Sequence, residues 1–124
     1  MKVLALDFGA ARTGVAVSDP TGTLARPVGV VERAATEAGL ERLVELIESE
    51  EPEHVVVGMP LTLRGEHGEQ ARETAAFVDL LRPRLAIPVE TYDERFTSVL
   101  AEGDDAKAAA HLLSSYLEWF RARP

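Results

Sequence analysis

Acidic residues stand at three separate places in this 124-residue chain where they could together hold a divalent metal. Asp7 ends a short apolar run, Asp93 and Glu94 end a later one, and Asp105 opens the last amphipathic segment. An unpaired carboxylate at the edge of an apolar core is costly unless a cation compensates it. Carboxylates from separate elements suit Mg²⁺ or Mn²⁺, which prefer oxygen ligands. Two such ions about 3.5–4 Å apart support the hydrolysis of a phosphodiester bond.

Each acid also has a structural explanation. Asp7 could cap the turn that follows it or form an ion pair with Arg12. Asp104 or Asp105 could cap the last helix, because acidic side chains in a first turn favour the helix dipole. The sequence leaves these alternatives open.

The third position contains two adjacent acids, Asp93 and Glu94. Side chains alternate between the two faces of a strand, so only one of them can share a site with the other carboxylates if the strand continues. Either acid could instead pair with Arg95.

Phosphate contacts are predicted near the glycine-containing loops. The loop of residues 58–68 contains Arg64 and leads into a helix, whose first N–H groups would bind an anion. Arg12 and Arg95 are further candidates, and Thr97 could donate to a phosphate or simply begin a helix. The same loop could also be an ordinary connection between a strand and a helix.

The hydrophobic pattern predicts the elements that must position these residues. Alternating and continuous apolar runs predict strands over residues 2–7, 13–19, 24–32, 54–59 and 89–92. Apolar residues at helical spacing predict helices over 36–50, 69–82 and 104–121. The resulting order βββαβαβα predicts an α/β fold of the ribonuclease H-like type, with a mixed five-stranded sheet and helices on its faces. We expect residues 1–124 to form a single domain.

Composition narrows the class of protein. A net charge of −8 argues against a broad basic surface for nucleic acid, although it allows a local site. The absence of cysteine excludes a disulfide framework and a thiolate metal site. No secretory or membrane-spanning run is evident, so we expect a cytoplasmic protein with no membrane partner.

Taken in order, the motifs resemble the YqgF-type family of Holliday junction resolvases, also described as pre-16S rRNA nucleases. The matching segments are LDFG at 6–9, GVAVSD at 14–19, VGMPL at 57–61 with Gly65, DERFTS at 93–98, and Asp105 with residues 108–109 and 113–117. The resemblance implies an RNase H-like nuclease that uses Mg²⁺ or Mn²⁺. Its acidic ligands would be Asp7, Glu94 (or Asp93) and Asp105.

This resemblance also implies the substrates. We expect a hydrolase that acts on ester bonds in structured nucleic acid, first in 5′ processing of precursor 16S rRNA and second on branched DNA. Ribosomal precursor particles would be its partners. Arg12, Arg64, Arg95 and Thr97 would contact phosphates.

The chain departs from the family between its last two motifs. Members usually carry a longer and often basic segment there, whereas residues 96–104 contain no Lys or Arg. This motivates an alternative function, a non-catalytic nucleic-acid-binding or ribosome-assembly factor that retains the fold. The first strand pair also resembles the phosphate-binding hairpin of the actin-like and sugar-kinase group, but 124 residues leave no room for a second lobe around ATP.

Overall fold

The computed structural model describes residues 1–61, 64–93 and 104–122. The elements in these residues are β1 Val3–Asp7, β2 Arg12–Ser18, β3 Ala25–Glu32, α1 Glu37–Glu50, β4 His54–Met59, α2 Glu69–Leu81, β5 Val89–Asp93 and α3 Asp105–Ala122, with a 3₁₀ turn at Arg82–Arg84. The predicted order βββαβαβα is confirmed. In this described part of the chain, no helix is long and apolar enough to cross a membrane.

The five strands form one mixed sheet in the order β3-β2-β1-β4-β5. β1 pairs antiparallel with β2 and parallel with β4, and β5 runs parallel to β4. β3 lies at one edge, where Pro27 lacks the N–H that an interior strand would need. The ladder between β2 and β3 also shifts register at Val15 and Ala16. The predicted mixed five-stranded sheet is therefore confirmed.

Helices cover both faces of this sheet. Because side chains alternate along a strand, each interior strand contributes to two apolar clusters. One cluster joins the sheet to α1 and α2 and includes Leu4, Leu6, Val55 and Val57. The other joins it to α3 and includes Val3, Ala5, Ala16 and Val56. As a result, β1 and β4 are buried from both sides.

The second half of α3 is fastened to β4 and β5 by a polar cluster. The hydroxyl of Tyr116 donates to the Glu90 carboxylate and lies 2.9 Å from Nε2 of His54. Tyr92 adds a contact of 3.0 Å between its hydroxyl and Oγ of Ser115. Burial lowers the pKa of His54, and the charges of Glu90 and Glu53 only partly oppose this effect. The environment of His54 therefore favours its neutral imidazole.

One buried hydroxyl is left unsatisfied among the described residues. Thr13 of β2 is fully buried, and its Oγ1 has no hydrogen-bond partner there. A buried polar atom without a partner costs stability.

We expect Thr13→Val, which replaces the hydroxyl by a methyl group of similar size, to raise the free energy of unfolding by about 1 kcal/mol in urea denaturation.

Thr74 provides the matched control for this variant. It is equally buried, but its hydroxyl donates to the carbonyl of Gln70 at 2.9 Å. Thr74→Val should therefore leave the protein no more stable than the wild type. Equal losses of stability in both variants would show that Thr13 has a partner after all.

Candidate functional site

The candidate site lies at the edge of the sheet that is formed by the ends of the strands, and not along an outer strand such as β3. The parallel strands β1, β4 and β5 end at this edge, and the antiparallel β2 begins there. Helices α1 and α2 follow strands that end at this edge, and α3 starts beside β2. Helix N-termini carry partial positive charge. The edge is therefore electrostatically suited to anionic groups.

The contact between β2 and α3 brings two of the predicted acids together. Gly14 pairs with Asp7 across the β1–β2 ladder. A Cβ atom added to Gly14 would lie only 1.8 Å from the backbone oxygen of Asp105. The first residue of α3 thus rests directly on the backbone next to Asp7, an approach that only glycine permits.

The cap of α3 is made by Asp104. Its Oδ1 accepts a hydrogen bond of 3.0 Å from the backbone N–H of Lys107, and its carbonyl accepts another of 3.0 Å from Ala108. Asp105 is therefore the first helical residue and does not serve as the cap. Its half-buried carboxylate contacts Arg12, with 3.1 Å between Oδ2 and Nε.

The Asp7 carboxylate has no compensating partner among the residues that the structure describes. Val3 and Ala5 pack against α3, so strand alternation places the Asp7 side chain on the same face. Burial first, and then the negative charge of Asp105, raise the pKa of Asp7. In the described residues no donor or cation contacts the Asp7 carboxylate. The predicted alternative of an Asp7–Arg12 ion pair is wrong, because Arg12 pairs with Asp105.

Asp93 is the one acid of the second acidic position that lies in the described part of the chain. Glu90 and Tyr92 of β5 contact α3, so alternation directs Asp93 toward the opposite face, away from Asp7. Asp93 lies at the end of β5, beside Met59. Glu94 lies outside the described residues.

Of the predicted phosphate contacts, two lie in the described part of the chain. Arg12 opens β2 at the site, and Arg64 is exposed in the turn before α2. Arg95 and Thr97 lie outside it. Within the described ranges, no group of three His, Asp or Glu side chains is arranged to hold a metal.

Sequence analysis did not identify the packing role of Gly14. A glycine within an otherwise apolar strand often marks close approach of another backbone, and this signal could have found it. Lys107 was also missed. It is exposed in the first turn of α3, with its Nζ 3.9 Å from Oδ2 of Asp104, and it adds a positive charge near the site.

Comparison with known proteins shows what this chain is similar to. A family model described as RuvX, Holliday junction resolvase, matches residues 1–119. A "Putative pre-16S rRNA nuclease" of Chloroflexus aurantiacus is 38% identical over 137 residues, covering 98% of this chain and 90% of the relative. A protein of the same name from Desulforudis audaxviator is 39% identical over 132 residues, covering 94% of each chain.

A solved structure shares the fold. It is T. thermophilus RuvC in complex with Holliday junction substrate, with a TM-score of 0.62 and 18% identity over 98% of this chain and 97% of that one. At this identity the likeness concerns the fold alone, and it agrees with the predicted RNase H-like architecture.

The Gly14 contact predicts a strong steric effect. We expect Gly14→Ala to displace the start of α3 and to lower the free energy of unfolding by about 1–3 kcal/mol, because the added Cβ meets backbone atoms. Gly29→Ala is the control, since a Cβ at Gly29 meets nothing within 4 Å. Thermal denaturation and amide exchange in the first turn of α3 measure both effects. Identical melting of the two variants would contradict the contact.

The raised pKa of Asp7 predicts that its charge destabilises the metal-free protein. The unfolded chain releases the Asp7 proton near 3.8, before the folded chain does, so ionised Asp7 opposes folding at neutral pH. Asp7→Asn should raise the melting temperature by a few degrees at pH 7 in EDTA. This advantage should vanish as the pH falls below about 3.8.

The matched control is Asp79→Asn, because Asp79 is exposed on α2. It should change the melting temperature little at either pH. A less stable Asp7→Asn protein at pH 7 would show that the folded protein already compensates the charge.

Proposed function

Because the chain belongs to the RuvX Holliday junction resolvase family, we propose that it is a nuclease that hydrolyses phosphodiester bonds in structured nucleic acid. Residues 1–124 would act as one nuclease domain. Precursor 16S rRNA is the first proposed substrate, since relatives of 38% and 39% identity carry that name. Branched DNA is the second, because the matching family is described as a Holliday junction resolvase. Ribosomal precursor particles are the proposed partners in the first case.

One observation carries the proposal. Asp7 is half-buried, faces Asp105 and has no compensating cation in the described residues. A divalent cation bound there would offset both the burial of the Asp7 carboxylate and its repulsion by Asp105. The donor set consists only of carboxylate oxygens, which fits Mg²⁺ or Mn²⁺ and not a softer metal.

We assign Asp7 and Asp105 as metal ligands, with Glu94 as the third. Glu94 is preferred to Asp93 because the strand directs Asp93 to the opposite face of the sheet. When bound, a pair of divalent ions supplies a nucleophilic water and stabilises the leaving oxygen. The protein would hold Asp7 at the end of β1 and Asp105 on the first turn of α3.

The phosphates of the substrate would be held by the cationic groups at the same edge. Arg12 and Arg64 are the described candidates, and Arg95 and Thr97 complete the proposed set. The start of α3 adds Lys107 and the partial positive charge of a helix N-terminus. Local positive charge at this edge would thus attract a phosphate although the chain as a whole carries −8.

The alternative function is a binding or assembly factor without catalysis. It is favoured by residues 96–104, which contain no Lys or Arg to grip a substrate. In that case the acidic residues would have only a structural role, and their neutral variants would keep the biological function.

Cleavage of a precursor RNA tests the proposal. Wild-type protein should trim an RNA containing the 5′ extension of 16S rRNA in Mg²⁺ or Mn²⁺ and fail in EDTA. Asp7→Asn should lose about 100-fold or more in rate, because a lost ligand removes several kcal/mol of transition-state stabilisation. Asp79→Asn, which alters an exposed residue of α2, should retain full activity.

A four-way DNA junction assayed in parallel distinguishes the two substrates. Absence of cleavage of both substrates in both metals would overturn the nuclease proposal. Tight RNA binding without cleavage, unchanged in Asp7→Asn, would support the assembly factor.

A further inference from the structure

Arg12 directly contacts a carboxylate of the candidate metal site. It opens β2 and shares the strand face of Gly14 and Ala16, which is the face that α3 covers. Its Nε lies 3.1 Å from Oδ2 of Asp105. In the described structure, therefore, a cationic side chain already forms an ion pair with one of the two carboxylates that we assign as metal ligands.

The carboxylates of Asp7 and Asp105 differ in their contacts with Arg12. Arg12 contacts Asp105, whereas Asp7 receives no such contact in the part of the chain that is described. The guanidinium thus contacts only one of the two carboxylates, whereas a divalent ion bound between them would balance both negative charges.

The ion pair between Arg12 and Asp105 is also exposed enough to be replaced by other contacts of the two side chains. The Arg12 side chain is 59% exposed and that of Asp105 is 32% exposed. Ion pairs of this exposure contribute little to stability, so the pair can break at small cost. A guanidinium released in this way would be available for a phosphate, which it can bind through two parallel hydrogen bonds.

From this geometry we propose that Arg12 is an internal counter-ion that competes with the divalent metal for Asp105 and moves to a substrate phosphate when the metal binds. The inference rests on the metal site of the proposed function. It implies that metal and phosphate strengthen each other's binding. The metal releases Arg12 for the phosphate, and the phosphate draws Arg12 away from the carboxylate that the metal requires. Such coupling is reciprocal by thermodynamic necessity.

Metal titration without nucleic acid tests the competition directly. Mn²⁺ binding is measured by calorimetry for the wild type, Arg12→Gln and Arg12→Lys. Arg12→Gln should bind Mn²⁺ about two- to fivefold more tightly, because the metal no longer competes with a guanidinium for Asp105. Arg12→Lys keeps a positive charge beside Asp105, so its affinity should stay close to that of the wild type.

Arg26→Gln provides a control with the same change in net charge. Arg26 is similarly exposed and forms a comparable ion pair with Glu50 at 3.5 Å, but it lies away from the site. It should change Mn²⁺ affinity far less than Arg12→Gln does. Equal effects of the two variants, or weaker binding by Arg12→Gln, would overturn the competition.

Nuclear magnetic resonance gives a second readout that needs no catalysis. The Nε–H signal of Arg12 is identified by its loss in Arg12→Gln. Addition of Mg²⁺ to the wild type should shift this signal as the contact with Asp105 breaks, and should leave the Arg26 signal in place. An Arg12 signal that stays unchanged while Mg²⁺ binds would contradict the proposal.

Asp105→Asn separates failure of this inference from failure of the proposed function. If the wild type binds no Mn²⁺, or if Asp105→Asn binds it equally well, Asp105 is not a metal ligand and both proposals are wrong. If the wild type binds Mn²⁺ through Asp105 and Arg12→Gln gains no affinity, the metal site stands and only the role of Arg12 is refuted.

Discussion

The close contact between β2 and the start of α3 is the constraint on which the candidate site depends. Gly14 contributes to it on two sides, since it pairs with Asp7 in the sheet and lies under the backbone of Asp105. A side chain at this position would separate the strand from the helix. The site therefore depends on the absence of a side chain as much as on the acids themselves.

The far half of α3 is held independently. Tyr116 reaches Glu90 and His54 through hydrogen bonds and packs edge-on against Tyr92. With contacts at both ends, the helix has little freedom to slide along the sheet. Its first carboxylate is consequently held in place by packing that lies far from the site.

The position of the Asp7 carboxylate has a cost in stability. β1 is buried from both sides, and it carries Asp7 to a position where burial and a neighbouring carboxylate both oppose its charge. Proteins commonly accept such a cost where a preorganised site requires it. The apolar clusters on the two faces of the sheet supply the stability that offsets it.

The sequence by itself determined the elements, their order and the residues of interest, because hydrophobic periodicity is a local property that residues carry with them. Every predicted strand and helix is present, with bounds that differ by one residue at most. Only the tertiary structure decided the partners: Arg12 with Asp105 and not with Asp7, Asp104 as the helix cap, and Asp93 on the opposite face. Alternation along a strand predicts that neighbouring side chains point to opposite faces of the sheet. Which of these two faces α3 covers depends on how distant segments of the chain pack. Partner choice follows from distances between elements far apart in the chain, and local patterns contain no information about those distances.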